Sequence, residues 1–451
     1  MTAGASDPGE RESALERLCA VLDPDVINGA QPTGAAAVYT PWVVLWLMVY
    51  QRLHANASLA QAVAALLGST DLLPPNRRVT AGTLSANTAA YSQARSRLRS
   101  HIPDDVADRV FDTLVAGTAP SLGTRRVFVV DGTTITLAPT AELQRVFPPA
   151  TNGAGTSAWP VWHWVVAHEL ASGCAIRPET GPMYGPERVS ELALGLRLLS
   201  RLPPRSVLLA DRNFGVFAFA HGAKQAGHEV LTRLTEARFR AWVKGATAVA
   251  PGVWKRAWEP SRWDRHNHPE LPARAELTVW LHEVRVSDAR TLWLVTTLDR
   301  PSAELADLYR HRQDVETDIR DVKRTLKLEE LRGRSVDTVR KELSAGLVAY
   351  NLVVQVRRLA AARAGVAPRR LSFAGTWSLT AVVLLSRTTW SAAQWDQKFE
   401  WVLRGAAQRK VPERPGRTYP RTVIRRARKF PNRPRSTLPD AHEPQPPART
   451  D

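Results

Sequence analysis

The amino-terminal part of the chain places an apolar residue at every third or fourth position. This spacing is typical of amphipathic helices, in which positions i, i+3 and i+4 share one face. Ser58 and Gln61 have the spacing of a capping box, which predicts a helix start at that point. The helical patterns cover residues 10–22, 42–53, 58–67, 87–98 and 104–114. We therefore predict a helical amino-terminal domain over residues 1–120.

After residue 120 the pattern changes to short apolar runs that alternate with helical stretches. Runs rich in β-branched residues predict buried strands at 126–130, 206–210 and 229–234, and a hairpin is predicted from 159–168 and 174–178. Helical patterns cover 187–202 and 214–225. Strands that alternate with helices indicate an α/β layer.

The second half of the chain contains three further kinds of segment. Residues 238–297 are strand-like and rich in Trp and Pro, which predicts a β-rich insertion. Helical patterns resume at Ser302 and cover 336–364. Arg, Lys and Pro dominate 401–451, so we expect a basic tail that is disordered until it meets a partner. The predicted fold is an α/β core in two pieces, 121–237 and 298–400, around that insertion.

The net charge of the chain indicates which kind of partner it binds. The 451 residues carry a formal net charge of +18, which predicts strong attraction to a polyanion, with nucleic acid the leading candidate. The alternative is a basic protein whose tail only aids solubility. Cys19 and Cys174 are the two cysteines of the sequence, which excludes a thiolate zinc site and a disulfide scaffold.

Nothing in the sequence predicts a membrane protein. The best apolar run, residues 42–50, has roughly half of the ~20 residues that a bilayer requires. The first residues lack the charged segment and apolar stretch of a secretory signal. We therefore expect a cytoplasmic protein with no membrane partner.

One predicted helix near residue 315 carries four chemically distinct side chains on one stripe. Tyr309, Arg312, Glu316 and Lys323 fall within about 60° of one another on a helix that turns about 100° per residue. An adjoining apolar stripe should face a core; it consists of Leu305, Leu308, Val315, Ile319, Val322 and Leu326. The opposite side, expected to face solvent, carries Asp314, Asp318 and Asp321. The pattern thus singles out Glu316 as a carboxylate beside two cations and a phenol.

Two further carboxylates lie at strand ends. Asp131 and Asp211 each follow a buried-type strand, and a carboxylate in such a place requires a partner. Each has a structural alternative, since Asp131 precedes a glycine in a possible turn, and Asp211 can cap the next helix or pair with Arg212. The alternative for Glu316 is an ordinary surface pair with Arg312 four residues before it.

Taken together, three carboxylates from separate elements indicate metal-dependent phosphoryl transfer. Mg²⁺ prefers oxygen ligands, and two such ions about 4 Å apart activate an attacking oxygen and stabilise a leaving one. Arg312 and Lys323 would hold phosphate, the first by a planar fork and the second as a point charge. Tyr309 would hydrogen-bond a phosphate or stack.

These motifs resemble those of bacterial insertion-sequence transposases of the DDE superfamily. Tyr309, Arg312, Glu316 and Lys323 match the Tyr-x2-Arg-x3-Glu-x6-Lys signature of the insertion-sequence-four type at every spacing, and residues around Asp131 and Asp211 match the two aspartate motifs. The resemblance covers residues 125–359. One position departs from the pattern: where the family often has Gly, two residues after the second aspartate, this chain has Asn213.

The resemblance implies an RNase H-like core in which Asp131, Asp211 and Glu316 bind two Mg²⁺ ions, with Mn²⁺ as a substitute. It implies nicking and strand transfer of double-stranded DNA with terminal inverted repeats into target DNA, by a homodimer on paired ends. In relatives an aromatic residue of the insertion stacks on a flipped base, and the tryptophans here leave that choice open. Two rival interpretations are a nuclease without strand transfer and a non-catalytic DNA-binding descendant of a transposase.

Overall fold

The computed structural model describes residues 22–68, 73, 76–153, 155–287, 290–384 and 392–412. The described residues up to Val411 belong to one compact unit. Almost all of the helix predicted at 10–22 and most of the basic tail lie outside the described residues. Of the helices in the described part, none is long and apolar enough to cross a bilayer.

The amino-terminal region is helical, as its apolar spacing predicts. The capping box is present, because the Gln61 backbone donates to Ser58 Oγ at 3.2 Å and the Ser58 backbone donates to the Gln61 side chain at 2.7 Å. The helices described here are α1 (Pro24–Ala30), α2 (Pro41–Leu53), α3 (Leu59–Leu67), α4 (Arg77–Thr80), α5 (Ala89–Arg97) and α6 (His101–Ala116). Within a few residues at their ends, α2, α3, α5 and α6 match the predicted helices.

The centre of the molecule is a mixed sheet. Its described strands are β1 (Val127–Thr136), β2 (Pro149–Asn152), β3 (Gly155–Glu169), β4 (Glu179–Pro182), β5 (Val207–Ala210), β6 (Glu229–Arg233), β7 (Thr247–Ala250), β8 (Val253–Trp258), β9 (Leu277–Ser287) and β10 (Arg290–Thr296). They lie in the order β2-β3-β1-β5-β6-β10-β9-β8-β7, and β4 pairs with β3. The pairs β1–β5 and β5–β6 are parallel, and β3 is antiparallel to β1.

The parallel strands are the most deeply buried. All four residues of β5 are buried, because a parallel strand in the middle of a sheet is covered on both faces. Further helices of the core are α7 (Ala141–Val146), α8 (Glu191–Leu199) and α9 (Phe217–Gln225). Helix α8 packs on β3 and α9 packs on β6. The predicted α/β layer is confirmed.

The region predicted to be β-rich, residues 238–297, contributes β7 to β10. These strands extend the central sheet, since β10 pairs with β6. The region also contains two short helices that its pattern did not predict, α10 (Glu236–Val243) and α11 (Arg262–Asn267).

Two strand predictions were wrong in extent. Strand β1 continues through Asp131 to Thr136, because the long β3 pairs with it along this whole stretch, Asp131 opposite Val166. Residues 174–178 do not form a strand; they make one isolated bridge, between His168 and Ala175.

The carboxyl-terminal part is helical and surrounds a long buried helix. Its helices are α12 (Ser302–Arg310), α13 (Asp314–Arg320), α14 (Val336–Arg363), α15 (Phe373–Leu384) and α16 (Ala392–Gln408). Helix α14 packs against α2 and α6 of the amino-terminal region. The last helix, α16, extends into the region assigned to the tail, so the residues up to Gln408 are helical.

Candidate active site

The sheet register places the two sequence-predicted aspartates side by side. Val130 of β1 pairs with Ala210 of the parallel strand β5, and Asp131 and Asp211 are the next residues of each chain segment. Neighbouring strands lie about 4.8 Å apart. The two carboxylates therefore lie on neighbouring strands, Asp131 midway along β1 and Asp211 just past the end of β5.

The helix predicted around Glu316 is interrupted twice. Helix α12 ends at Arg310, a 3₁₀ turn covers His311–Gln313, α13 follows, and a π-helical turn covers Asp321–Thr325. The predicted apolar stripe does face the core. Five of its residues are buried and Ile319 is partly buried; the buried ones are Leu305, Leu308, Val315, Val322 and Leu326.

The prediction that the aspartates opposite this stripe face solvent was wrong for two of the three. Asp318 is fully buried and Asp321 is 8% exposed, while Asp314 is half-buried. Asp318 lies 2.6 Å from Nη2 of Arg369, which also approaches Asp314 at 3.8 Å. This arginine, about fifty residues further along the chain, closes the side of α13 that the helical pattern assigned to water.

Arg312 joins two of the three candidate carboxylates. Its Nη2 lies 3.1 Å from Asp131 Oδ2 and its Nη1 lies 2.8 Å from Glu316 Oε1. The i,i+4 pair considered as the alternative for Glu316 is therefore present. It is not isolated on a surface, however, because the same guanidinium reaches across to β1 and its side chain is only 16% exposed.

The other two residues of the signature contact the strands that carry the aspartates. The Tyr309 hydroxyl donates to the carbonyl oxygen of Ala210 at 3.3 Å, next to Asp211. Lys323 Nζ donates to Thr133 Oγ1 at 3.1 Å and to the carbonyl oxygen of Thr134 at 2.7 Å. Tyr309, Arg312 and Lys323 thus reach β1 or β5, and Glu316 is joined to Asp131 of β1 through Arg312.

Burial sets the protonation behaviour of the site. Burial raises the pKa of Asp131, the Arg312 guanidinium opposes this effect, and the charges of Asp211 and Glu316 add to it. Burial lowers the pKa of Lys323. Both groups are therefore held where their charged forms are less favoured than in water, which makes a counterion valuable to each.

A fourth carboxylate, Glu191, also belongs to this site and was missed. It lies in the first turn of α8, after the N-cap residue Ser190, and its pKa is raised by burial and then by Asp211 and Asp131. Hydrogen bonds from the Gly132 backbone and the Asn213 side chain act in the opposite direction. An acidic residue in a first helical turn is ordinary, so the sequence pattern gave no reason to select it.

The residues after Asp211 show how the departure at Asn213 is accommodated. Asp211 caps a short 3₁₀ helix, Arg212–Phe214, by accepting from the Asn213 backbone at 2.8 Å. The capping role considered for Asp211 is thus present. Asn213 lies inside this turn with no left-handed backbone, so the chain has no need of a glycine there.

The side chains of the site offer the kind of donor atom that a hard divalent cation binds. Asp131, Asp211 and Glu316 supply carboxylate oxygens, the ligands that Mg²⁺ prefers. Among the described residues, however, no three His, Cys, Asp or Glu side chains are arranged so that they could hold a metal ion. Arg312 lies between Asp131 and Glu316 and supplies the positive charge there.

An open cleft of about 530 Å³ adjoins these residues. Asp211, Tyr309, Arg312 and Glu316 line one side, and β9 and β10 line another. The cleft also contains three further arginines, Arg233, Arg285 and Arg310. A groove with several guanidinium groups beside a carboxylate cluster suits a phosphate chain.

The tryptophans of residues 238–297 and two histidines of β3 differ in their surroundings. Trp258 is buried beside Trp242, whereas Trp263 is 58% exposed. The pair His163 and His168 is buried, with His163 Nδ1 3.1 Å from the Val189 carbonyl oxygen. These contacts agree with structural roles for both histidines.

Comparison with known proteins agrees with this geometry. The profile of the family described as "Transposase DDE domain" matches residues 122–352, which include Asp131, Asp211, Glu316 and the fourth carboxylate. The chain is also similar to the transposase InsG for insertion sequence element IS4 of Escherichia coli (strain K12), with 25% identity over 405 residues, 88% of this chain and 87% of the relative. The chain therefore belongs to the transposase DDE domain family.

Proposed function

We propose that this transposase cuts phosphodiester bonds at the ends of its insertion sequence and joins the freed ends to target DNA, with divalent metal ions held by Asp131, Asp211 and Glu316. The observation that carries the proposal is the approach of these carboxylates, from β1, the end of β5 and α13, to one place beside a cleft lined by arginines. The cap made by Asp211 and the ion pairs of Arg312 are local contacts, and neither requires that all three carboxylates come from distant parts of the chain to one place.

The topology supports an RNase H-like core. Strands β4, β3 and β1 are antiparallel neighbours, and β5 and β6 continue the sheet in parallel with β1. In this arrangement the first aspartate lies on the central strand and the second follows the adjacent parallel strand.

Two bound Mg²⁺ ions would supply activation of the attacking oxygen and stabilisation of the leaving one. The protein's own residues bind and orient the DNA. Arg312, which holds two carboxylates here, is placed to transfer its fork to a phosphate once those carboxylates take up other cations. Tyr309 and Lys323 hold the Glu316 helix against both strands, and we propose that they also contact the DNA backbone.

The remainder of the chain supplies further DNA contacts in this proposal. The helical amino-terminal region would recognise the terminal inverted repeats, and the basic tail would contact phosphates without reading sequence. Two copies would hold the paired ends. A net charge of +18 supports a large polyanionic partner.

The test is a cleavage and joining assay on the DNA ends of the protein's own element with Mg²⁺. We expect Asp131→Asn, Asp211→Asn and Glu316→Gln each to abolish cutting while DNA binding is retained. Glu187→Gln, which removes the charge of an exposed glutamate outside the site, is the matched control.

The two rival functions predict other products. A nuclease without strand transfer would cut the ends and give no joined target DNA. A non-catalytic DNA-binding protein would bind the ends and leave them intact. Retained cutting by any of the three carboxylate variants would refute the assignment of the metal ligands.

A further inference from the structure

Glu191 is a fourth acidic side chain at the site, and the DDE signature assigns it no role. It comes from α8, an element that carries none of the other three carboxylates. Asp131 and Asp211 are its charged neighbours. Ser190 caps the helix by accepting from the Ala193 backbone, which fixes the first turn and with it the position of Glu191.

Gly132 provides the space that Glu191 occupies. A Cβ atom at position 132 would lie 2.0 Å from Glu191 Oε1 and 2.6 Å from its Cδ, far inside van der Waals contact. The backbone of Gly132 is not left-handed, so its conformation does not require glycine. A glycine inside a strand often marks a close approach by another group. Here the group that approaches is a carboxylate, directly beside Asp131.

Asn213 provides a second contact to the same carboxylate. The side-chain amide of Asn213, two residues after Asp211, lies near enough to Glu191 to lower the pKa of that carboxyl group. This is the position at which the chain departs from the glycine common in its family. A residue close in sequence to each aspartate thus accommodates Glu191. Gly132, after Asp131, leaves space for the carboxylate, and Asn213, two residues after Asp211, places an amide near it.

The charge balance of the site indicates what Glu191 contributes beside Asp131 and Asp211. Asp131, Asp211 and Glu316 carry three negative charges, and Arg312 already offsets part of them. Two divalent cations carry four positive charges, and Mg²⁺ keeps several of its waters when a protein binds it. Outer-shell groups around a metal site also matter, because mutation of those that hydrogen-bond the ligands typically costs about 10–100-fold in metal affinity.

We infer that Glu191 is a positioning residue of the metal site, which raises the affinity of Asp131 and Asp211 for divalent cations by its charge and by accepting hydrogen bonds from the waters of the ion. This inference rests on the proposed metal-dependent function. It assigns Glu191 to the part of the site beside Gly132, where α8 approaches β1.

The test is titration of the DNA-free protein with Mn²⁺, followed by calorimetry and by electron paramagnetic resonance of the free ion. We expect Glu191→Gln to weaken Mn²⁺ binding about tenfold or more. Gly132→Ala should weaken it similarly, since the new methyl group displaces the carboxylate. Glu191→Asp should recover part of the affinity, and the control Glu187→Gln should bind as the wild type does.

A second readout separates this role from a merely structural one. In the cleavage assay, Glu191→Gln should raise the Mg²⁺ concentration needed for half-maximal rate by a similar factor and keep most of the rate at saturating Mg²⁺. Circular dichroism and thermal unfolding establish that each variant is folded. If Glu191→Gln does not fold, the comparison of Gly132→Ala with wild type decides the question.

The outcomes distinguish this inference from the function on which it rests. Wild-type Mn²⁺ affinity in Glu191→Gln or, where that variant does not fold, in Gly132→Ala, together with weakened binding in Asp131→Asn, would overturn the role of Glu191 alone. Unchanged binding in Asp131→Asn, Asp211→Asn and Glu316→Gln would instead overturn the metal site.

Discussion

Glu316 and Asp318 are two residues apart in α13, and their carboxylates differ in exposure and in partner. The side chain of Glu316 is 65% exposed and has Arg312 as its partner, whereas that of Asp318 is 1% exposed and lies against Arg369. Asp318 also has His168 within 3.9 Å, and Tyr350 packs edge-on against that histidine. The exposed carboxylate faces a cleft and can change partners; the buried one cannot.

The two buried aspartates, Asp318 and Asp321, differ from each other in their pKa values. Burial alone would raise the pKa of Asp318, but Arg369, His168 and Arg357 outweigh it, so its pKa is lowered. Burial raises the pKa of Asp321, three residues further on, to about 6 because its cationic neighbours are weaker. The buried side of α13 is therefore an ion network that fixes the helix, and the open side carries Glu316, for which we propose a metal-binding role.

The largest effect should come from breaking the buried pair. Arg369→Met leaves Asp318 buried without its main partner, and such a loss costs about 3–5 kcal/mol of unfolding free energy. Urea denaturation at pH 7 measures it, with Arg320→Gln, an exposed arginine of the same helix, as the control. A loss below about 1 kcal/mol would show that water or another cation reaches Asp318.

The next effect should be confined to catalysis. Glu316→Gln should lower cleavage by at least about 10²–10³-fold, the scale expected when a charge-stabilising group is removed from an active site. Because Glu316 is exposed, unfolding free energy should stay within about 0.5 kcal/mol of wild type. Parallel kinetic and urea measurements test both statements, and a variant that lost stability in proportion to its activity would contradict the contrast.

A smaller effect should appear in the pH dependence of stability. The folded-state pKa of Asp321 lies above its ordinary value, so its contribution to stability is fully present below pH 4 and is lost as pH rises through about 6. Asp321→Asn should remove this fall. The unfolding free energy of the variant minus that of wild type should therefore be about 1–3 kcal/mol larger at pH 7 than near pH 4. Urea curves at pH 4.5 and pH 7 measure the difference. An unchanged slope between these pH values would refute the prediction.

The smallest effect concerns the exchangeable partner of Glu316. Arg312→Gln removes a cation that competes with metal for Asp131 and Glu316, so DNA-free Mn²⁺ binding should tighten by a few-fold, on the scale of about 1 kcal/mol for a partly exposed pair. DNA cleavage should fall in the same variant. Weaker Mn²⁺ binding would indicate that Arg312 holds the carboxylates in the metal-binding arrangement.

The open side of α13 was predictable from sequence and the buried side was not. Short apolar runs identified Asp131 and Asp211, and a helical wheel identified Glu316 beside an apolar stripe. The same wheel wrongly placed Asp318 and Asp321 in solvent. It assigns charged residues to the solvent-facing side, and it does not include Arg369, which lies about fifty residues away in the sequence and pairs with Asp318. The helical wheel could not identify Glu191 either. The case for that residue depends on the space at Gly132, which lies on β1, far from α8 in the sequence.

The contact between Lys323 and β1 has a consequence for how copies of this gene can change. The lysine binds the carbonyl oxygen of Thr134, and every amino acid offers that acceptor, so codon 134 is free to change as far as this contact is concerned. The seven-residue interval from Glu316 to Lys323 has no such freedom. One codon inserted in its α-helical part, which ends at Arg320, would turn the lysine by about 100° relative to Glu316. Reading-frame-preserving insertions in this short interval should therefore mark inactive copies of the element even where all three carboxylates survive.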